Sequence, residues 1–337
     1  MKHLLGAIAF GAALSAAGTL AHAQGAASFY KGKTVNLVVG FSAGGGYDSY
    51  GRLLARHLGR HIPGQPDVIV QNLPGAGSLN AVRQLEATQS KEGTYITTFN
   101  PALIVDSLLY PEKTRFKFAD VNWIGSMAPE VRVCVVMAST GIKNWEDMIK
   151  RKEVIVGATA KGTAAYVNGA ILHNMFGVPI KQVLGFPGGA EQKLAMERGE
   201  LDGDCGSWSS VDQDWIKQKK IVPIVSFSPT GAADLPKEVP FIGKFVTKKE
   251  QQDVLDIFTT AGELGRPFIM AKAVPEDRVA AIRVAFEAAL KDKQLLADAE
   301  KLSLPIQLLP GSRAADIIER VYKASPDAVE KARQAAE

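Results

Sequence analysis

The chain of 337 residues has few cysteines and histidines, no basic run and, beyond its N-terminus, no apolar stretch of the ~18 residues that span a bilayer. Its net charge is only +4, and the cations are dispersed, so the sequence does not indicate a nucleic-acid partner. Its histidines and cysteines show no metal-ligand spacing. We therefore expect no metal, no cofactor and no bound nucleic acid.

The two cysteines, Cys134 and Cys205, fall in segments that we predict to be strands of one lobe. In an oxidising compartment an even pair permits one disulfide, and neighbouring strands can bring the two thiols together. Two separate thiols packed as small apolar groups are the alternative. The sequence leaves this pairing open.

The N-terminus has the pattern of a secretory signal peptide. Lys2 and His3 precede an apolar run over residues 4–20, and Ala21-His22-Ala23 supplies a cleavage pattern of small residues. An uncleaved membrane anchor is the alternative. We predict a signal peptide over residues 1–23 and a soluble periplasmic product.

Strand and helix patterns alternate along the rest of the chain, as is typical of βαβ units with mainly parallel sheets. The length favours two domains. We predict an α/β protein in which residues 24–124 plus 228–337 form domain 1. Residues 125–227 form domain 2, a lobe inserted through two hinge strands. The tail, with its last helix predicted over 312–336, is assigned to domain 1 because the sheet of that domain otherwise lacks helices for both faces.

Two similar loops are the most informative feature. Each follows an apolar strand, contains a hydroxyl residue and glycines, and opens a helix. Such a turn directs backbone N–H groups and the positive end of a helix dipole at one point, which suits an anion. We predict that the two loops hold a small carboxylate from opposite sides of a cleft, although such glycines can also serve only to make tight turns. The predicted contacts are Phe41, Ser42, Ala43, Gly44, Gly45 and Gly46, and Thr159, Lys161, Gly162, Thr163 and Ala164.

Four other residues are candidate ligand contacts. Asn72 and Asn100 end strands on the cleft side of domain 1, and Gly188 opens a third helix at the edge of the second sheet. Trp208 fits the wall of the cleft and the protein core equally well. Asp48, by contrast, is predicted to cap the first helix rather than to touch an anion.

The enzyme alternatives are weaker. Gly40–Gly44 matches the G-x-S-x-G elbow of α/β-hydrolases, with Ser42 as the nucleophile. That chemistry needs a histidine late in the fold, and no histidine follows His173. The same loop also approaches a dinucleotide fingerprint, but Ser49 stands where the third glycine belongs. We predict a binding protein, with an exported hydrolase as the alternative.

Nearly the whole mature chain resembles the periplasmic receptors of tripartite tricarboxylate transporters, the Bug-type solute-binding proteins, and four segments carry the resemblance most specifically. They are residues 39–48, 70–77, 158–166 and 186–201. The resemblance implies a two-lobed, Venus-flytrap fold that closes on a carboxylated solute and delivers it to the permease subunits of a membrane transporter. In this family the two loops described above hold the carboxylates. We expect the receptor to be a monomer.

The sequence departs from the family pattern at several positions. Lys161 and Tyr166 replace the usual asparagine and histidine, and Gly206 stands where an aspartate commonly ends a strand. Asp204 lies two residues earlier. The identity of the solute therefore does not carry over from the family.

Overall fold

A computed structural model describes residues 25–229, 231–232 and 234–337, without the side chains of residues 88 and 89. The predicted signal peptide lies outside the described residues. None of the helices within those ranges is both long and apolar enough to cross a membrane. The strands are β1 Thr34–Val39, β2 Asp67–Asn72, β3 Tyr95–Thr98, β4 Val121–Ser126, β5 Val133–Met137, β6 Val154–Gly157, β7 Ile180–Val183, β8 Gly203–Asp204, β9 Ile221–Ser226, β10 Pro267–Ala271 and β11 Leu309–Pro310. The α-helices are α1 25–30, α2 Gly46–Leu58, α3 Leu79–Arg83, α4 Ala102–Leu109, α5 Pro111–Thr114, α6 Trp145–Ile149, α7 Ala164–Phe176, α8 Gly189–Glu197, α9 Gln213–Lys217, α10 Lys249–Gly262, α11 Glu276–Ala289, α12 Lys293–Lys301, α13 Gly311–Tyr322 and α14 Pro326–Ala336.

The first sheet has the strand order β11-β4-β10-β3-β1-β2. Strand β1 runs parallel to β2 and β3, whereas β10 runs antiparallel to β3 and β4. The carboxyl ends of β1 to β4 therefore share one edge of the sheet. We call this sheet and the helices packed on it the first lobe.

The second sheet has the order β7-β6-β8-β5-β9. Strand β6 runs parallel to β7 and β8, and β5 runs antiparallel to β8 and β9. This sheet and its helices form the second lobe. The chain thus has the α/β architecture with two sheets that the alternating pattern predicts. The prediction that the sheets are mainly parallel is wrong, because β10 and β5 each run antiparallel to both of their neighbours.

The strands at the centre of the first sheet are buried on both faces. In β1, Leu37 and Val39 are fully buried, and this strand reads as a nearly continuous apolar run. Helix α2 covers the sheet with a stripe that includes Leu53 and Leu54, while Arg52 faces outwards. Burial of this stripe fixes the position of α2 on the sheet, and therefore also the position of the loop that precedes the helix.

The single helix predicted over 312–336 is wrong. The chain leaves the helical conformation after Tyr322, and a new helix starts at Pro326. The Ser325 hydroxyl caps that helix by accepting a hydrogen bond from the Ala328 N–H (3.2 Å). Proline disfavours a helical residue before it but suits the first turn of a helix, so Ser325-Pro326 marks a boundary.

The last helix, α14, packs against both α10 and α7. Its end receives hydrogen bonds from two residues of the second lobe. Asn174 donates to the Ala335 carbonyl (3.0 Å), and the Tyr166 hydroxyl donates to the Glu337 carbonyl (3.0 Å). The tail therefore touches both lobes, and the division at 124/125 and 227/228 stays a prediction.

Candidate ligand-binding site

The loop between β1 and α2 is held in shape by a buried carboxylate. Asp48, 2% exposed, accepts hydrogen bonds from the Gly44 N–H (2.8 Å) and from Arg52 Nε (2.8 Å). The Asn72 side-chain amide donates both to Asp48 Oδ1 (2.9 Å) and to the Phe41 carbonyl (2.9 Å). Asp48 thus fastens the loop from inside, through Gly44, the residue before the N-cap Gly45, rather than by capping the first turn of α2. Asn72 also supports the loop, and its contact with a ligand stays a prediction.

Replacing Asp48 with asparagine is expected to lower the free energy of unfolding by about 1–3 kcal/mol at neutral pH, because charge-assisted hydrogen bonds are lost. Burial opposes ionisation, but hydrogen bonds from Arg52, Gly44 and Asn72 lower the pKa of this carboxyl. The stabilisation is therefore present above the unfolded-state pKa of about 4 and is lost as the pH falls through the lower folded-state value. Denaturant unfolding at pH 7 and in acid measures the effect.

Asp67→Asn is the control for this prediction, because Asp67 is exposed at the start of β2 in the same lobe. It should change the stability little at either pH. A stability difference between wild type and Asp48→Asn that stays constant into strong acid would contradict the assigned role of the carboxylate.

The first glycine loop lies directly against the second lobe. The Ser42 N–H donates to the Pro187 carbonyl (3.4 Å), and the Ser42 hydroxyl donates to Glu191 Oε2 (2.9 Å). A Cβ atom on Gly188 would lie 2.3 Å from Ser42 Oγ, and one on Gly45 would lie 3.4 Å from the Gly189 nitrogen. This loop therefore faces the turn that opens α8, at the interface between the lobes.

The second glycine loop, between β6 and α7, meets other parts of the first lobe. A Cβ atom on Gly77 would lie 2.6 Å from Thr163 Cγ2, and one on Gly162 would lie 2.7 Å from Asp106 Oδ1. The Thr163 hydroxyl donates to the Ala160 carbonyl (2.8 Å). Both predicted loops thus lie at the interlobe interface. The parts of the opposite lobe that each loop meets are, however, the α8 turn for the first loop and Gly77 and Asp106 for the second, rather than the other glycine loop.

Lys161 and Gly162 line a cavity of about 350 Å³ between α4, α7 and the end of α14. Asp106 and Lys113 line it from the first lobe. Burial raises the pKa of the Asp106 carboxyl to about 6, although Lys113 acts in the opposite direction. Lys161 itself is exposed. Lys161 therefore lies at the rim of a cavity that also contains an acidic side chain, and its contact with a ligand stays a prediction.

A larger cavity, of about 830 Å³, lies elsewhere. It is lined by Val121 and Ala271, which begin β4 and end β10. These positions are at the edge of the first sheet opposite to the glycine loop. This larger cavity is therefore not located at the site that the glycine loops indicate.

Two further predicted contacts have structural partners. The Asn100 side-chain oxygen accepts a hydrogen bond from the Ala102 N–H (2.9 Å) at the start of α4. Trp208 is 2% exposed within an apolar cluster, and its indole N–H donates to Asp234 Oδ1 (2.9 Å). For Trp208 the structure favours the core interpretation, and ligand contact by either residue stays a prediction.

Cys134 and Cys205 are joined in the structure, with a distance of 2.08 Å between the sulfur atoms. They lie on and just after the neighbouring strands β5 and β8. The Asn168 side chain of α7 donates to the Cys205 carbonyl (2.7 Å). The disulfide therefore links two neighbouring strands of the second sheet, β5 and β8.

Ser42 does not sit in the environment that the hydrolase alternative requires. Its hydroxyl is bonded to Glu191, whereas the described histidines have other partners. His57, near the end of α2, contacts Asp298 (3.1 Å), and His61, in the turn that follows α2, contacts Asp292 (2.9 Å). A nucleophile needs its base within hydrogen-bond reach.

A buried charged cluster lies at the interlobe interface and is not predicted from the sequence. Glu130 accepts hydrogen bonds from Arg132 Nε (3.1 Å) and Arg266 Nη1 (3.0 Å), and all three side chains are at most 5% exposed. The only sequence signal is that charged residues flank the apolar strands β5 and β10 at the junction of the lobes. This signal does not reveal which charges pair.

Arg266 reaches from the first lobe into the second. Its Nη2 donates to three hydroxyl groups, and its guanidinium lies over the rings of Tyr47 (4.4 Å) and Tyr50 (5.0 Å) on α2. Burial raises the pKa of both tyrosines, so their hydroxyls stay protonated at neutral pH. The hydroxyl partners of Nη2 are Ser207 (2.7 Å), Ser209 (2.9 Å) and Ser210 (3.1 Å).

No family model matches the sequence. A Cupriavidus necator protein described as "UPF0065 protein in gbd 5′ region" is 31% identical over 164 residues, which are 48% of this chain and 49% of that protein. The chain thus spans about half the length of the curated relative it matches.

Solved structures match nearly the whole chain. The periplasmic binding protein BugD superposes with a TM-score of 0.74 and 18% identity, covering 91% of this chain and 98% of BugD. MatC from Rhodopseudomonas palustris, solved with bound malate, has a TM-score of 0.69 and 16% identity, covering 88% of this chain and 99% of MatC. The chain therefore has the two-lobed α/β fold of periplasmic binding proteins such as BugD, and the resemblance to Bug-type receptors that the glycine loops indicate is confirmed at the level of the fold.

Proposed function

We propose that this protein is a periplasmic solute-binding receptor of the Bug type that captures a small carboxylated anion between its lobes. The observation that carries the proposal is the position of the two glycine loops, since both lie at the interlobe interface of a binding-protein fold. The start of α2, at Gly46, lies against Ser210 of the second lobe, so a helix N-terminus is located at this interface. The structural neighbour MatC was solved with malate, a dicarboxylate.

We also propose that the receptor acts in the periplasm and passes its solute to a membrane transporter. After cleavage of residues 1–23, the receptor acts as a monomer without a cofactor and delivers its solute to the permease subunits of a tripartite tricarboxylate-type transporter. Domain 2 closes on domain 1 about the hinge strands, at the division predicted from the sequence. No turnover is expected, and Ser42 serves in binding rather than as a nucleophile.

A thermal-shift screen of mono-, di- and tricarboxylates and aromatic acids tests the proposal. A carboxylate present at 100 times its Kd should stabilise the protein by about 2.7 kcal/mol. The neutral amide of each active acid is the matched control, because it keeps the shape and removes the charge. Stabilisation by acids but not by amides is expected. No shift with any acid, or equal shifts with acid and amide, would overturn the proposed function.

A further inference from the structure

The buried charged cluster at the junction of the lobes contains two cations and one anion. Glu130 pairs with both Arg132 (3.1 Å) and Arg266 (3.0 Å), and the three side chains are at most 5% exposed. Arginine keeps its proton when it is buried, so the cluster carries a net positive charge. A buried charge without a counter-ion is costly, and folded proteins pair such charges.

The buried carboxyl of Asp204 does not supply the second counter-ion. The ion-pair partner of both arginines is Glu130, whereas Asp204 accepts hydrogen bonds from the backbone amides of the two residues that follow it. Burial raises the pKa of the Asp204 carboxyl to about 7, although those amides act in the opposite direction. Asp204 is therefore only partly ionised at neutral pH, and the cluster keeps its excess positive charge.

One nitrogen of Arg132 borders a small cavity. Its Nε donates to Glu130, but its Nη2 is buried with no hydrogen-bond partner among the described residues. Arg132 lines a cavity of about 10 Å³, which has room for one water-sized molecule or one monoatomic ion. A Cβ atom on Gly262, which lines the same cavity, would lie 3.9 Å from Arg132 Cζ. The guanidinium is therefore directly at this cavity.

The lining of the small cavity favours an anion. Arg132 is its charged side chain, and the described lining contains no carboxylate. Asn168 carries two side-chain N–H groups, one of which donates to the Cys205 carbonyl (2.7 Å). The apolar walls are formed by Ile171, Phe227, Leu255 and Phe258. A cation would be repelled here, and a water molecule would leave the excess charge without a counter-ion, whereas a small anion would form a charge-assisted hydrogen bond with the guanidinium.

The small cavity lies where the chain crosses between the lobes. Arg132 precedes β5 and Ser228 follows β9, and the Arg132 N–H donates to Ser228 Oγ (3.1 Å). Thr259 and Gly262, at the end of α10 in the first lobe, close the cavity from the other side. An outer cavity of about 390 Å³ shares Ser228, Thr259 and Gly262 with the small one. The outer cavity therefore gives an ion a route from solvent.

We propose that the small cavity binds a monovalent anion of halide size, such as chloride, as the second counter-ion of the buried arginine cluster. Such an ion touches both connecting segments and the end of α10, so its binding stabilises the arrangement of the lobes at their junction. This role goes beyond the capture of a solute and does not depend on it. Polyatomic anions such as sulfate are too large for the cavity.

Thermal unfolding in sodium chloride tests the site, with sodium gluconate keeping the ionic strength constant. The melting temperature of the wild-type protein should rise with chloride and then saturate, with a rise of at least about 2 °C at ten times the Kd. Bromide should act like chloride, and sulfate at the same ionic strength should not. No solute is added, so the result is independent of the receptor function.

Gly262→Ala removes the space for the ion and keeps the charges. Its Cβ atom would lie 3.9 Å from Arg132 Cζ and from the Glu130 carbonyl oxygen, which are ordinary contact distances, so the variant should fold. It should lose the rise with chloride and with bromide. Arg313→Gln is the control, because Arg313 is an exposed cation that lines the outer cavity but not the small one. This variant should keep the full rise.

Crystals soaked in sodium bromide locate the ion directly, and an anomalous difference peak beside Arg132 Nη2 is expected. A melting temperature that does not depend on the anion present would overturn the proposal, and it is the result expected if a water molecule occupies the cavity. A chloride effect that survives in Gly262→Ala or disappears in Arg313→Gln would also overturn it, as would bromide bound only at the exposed surface.

Discussion

Replacing Glu130 with glutamine should lower the free energy of unfolding by about 3–5 kcal/mol, the loss expected when one partner of a buried ion pair is removed. Glu130 is the carboxylate that directly contacts both Arg132 (3.1 Å) and Arg266 (3.0 Å). Its side chain is 2% exposed, and those of the arginines are 5% and 1% exposed. Without this carboxylate, two buried guanidiniums would face a neutral amide.

The other partners of Arg266 cannot replace the lost charge. The serine hydroxyls that surround Nη2 are neutral, and the rings of Tyr47 and Tyr50 contribute about 0.5–2 kcal/mol each as cation–π partners. Arginine also keeps its proton when it is buried, so the cluster cannot relax by losing the charge. The destabilisation should therefore appear as a large drop in the melting temperature.

Glu153→Gln is the matched control for this experiment. Glu153 pairs with Lys181 at 3.2 Å, but the two side chains are 48% and 60% exposed. A surface pair of this kind contributes about 0–1 kcal/mol. Denaturant unfolding of both variants should therefore give clearly different losses. Equal losses would show that Glu130 is not the counter-ion on which the interlobe cluster depends.

The local parts of the fold follow from the sequence because short-range patterns determine them. The apolar run of β1, the glycines after it and the apolar stripe of α2 predict a strand, a turn and a helix without any knowledge of the rest of the chain. The place of Asp48 in the first turn of that helix predicts a local role, and the structure shows it as a hydrogen bond to the preceding loop. Pro326 is a helix-boundary signal in the sequence. The helical pattern on both sides of it, however, favours one continuous helix.

The contacts between the lobes that form the site cannot be predicted from such local patterns. Ser42 and Glu191 are 149 positions apart in the sequence, and nothing in either segment specifies the other. Two similar loops predict a shared function, but the turn that each loop meets depends on how the two sheets are oriented. The same holds for Arg266 and Glu130, whose pairing arises only when β4 and β10 lie side by side. Local sequence therefore predicts the loops, and the packing of the lobes decides their partners.

Gly188→Ala should weaken the binding of the carboxylate ligand at least about tenfold, which corresponds to ~1.4 kcal/mol. The backbone of Gly188 is extended, with φ −173°, so alanine is tolerated there locally. Its Cβ atom, however, would lie 2.3 Å from Ser42 Oγ and 3.2 Å from the Ser42 nitrogen of the first lobe. Because the proposed receptor closes by bringing these two turns together, the extra methyl group should hold the lobes apart.

Gly189→Ala is the control, since it adds the same methyl group one residue later. At that position the nearest atom across the interface is Gly45 Cα at 4.0 Å, an ordinary contact distance. Calorimetry with the best acid from the screen measures the two affinities, and small-angle scattering with ligand present measures the radius of gyration. Gly189→Ala should match the wild type in both, whereas Gly188→Ala should bind weakly and stay more extended. If both variants bind as tightly as the wild type, then ligand capture does not require the contact between Ser42 and the α8 turn.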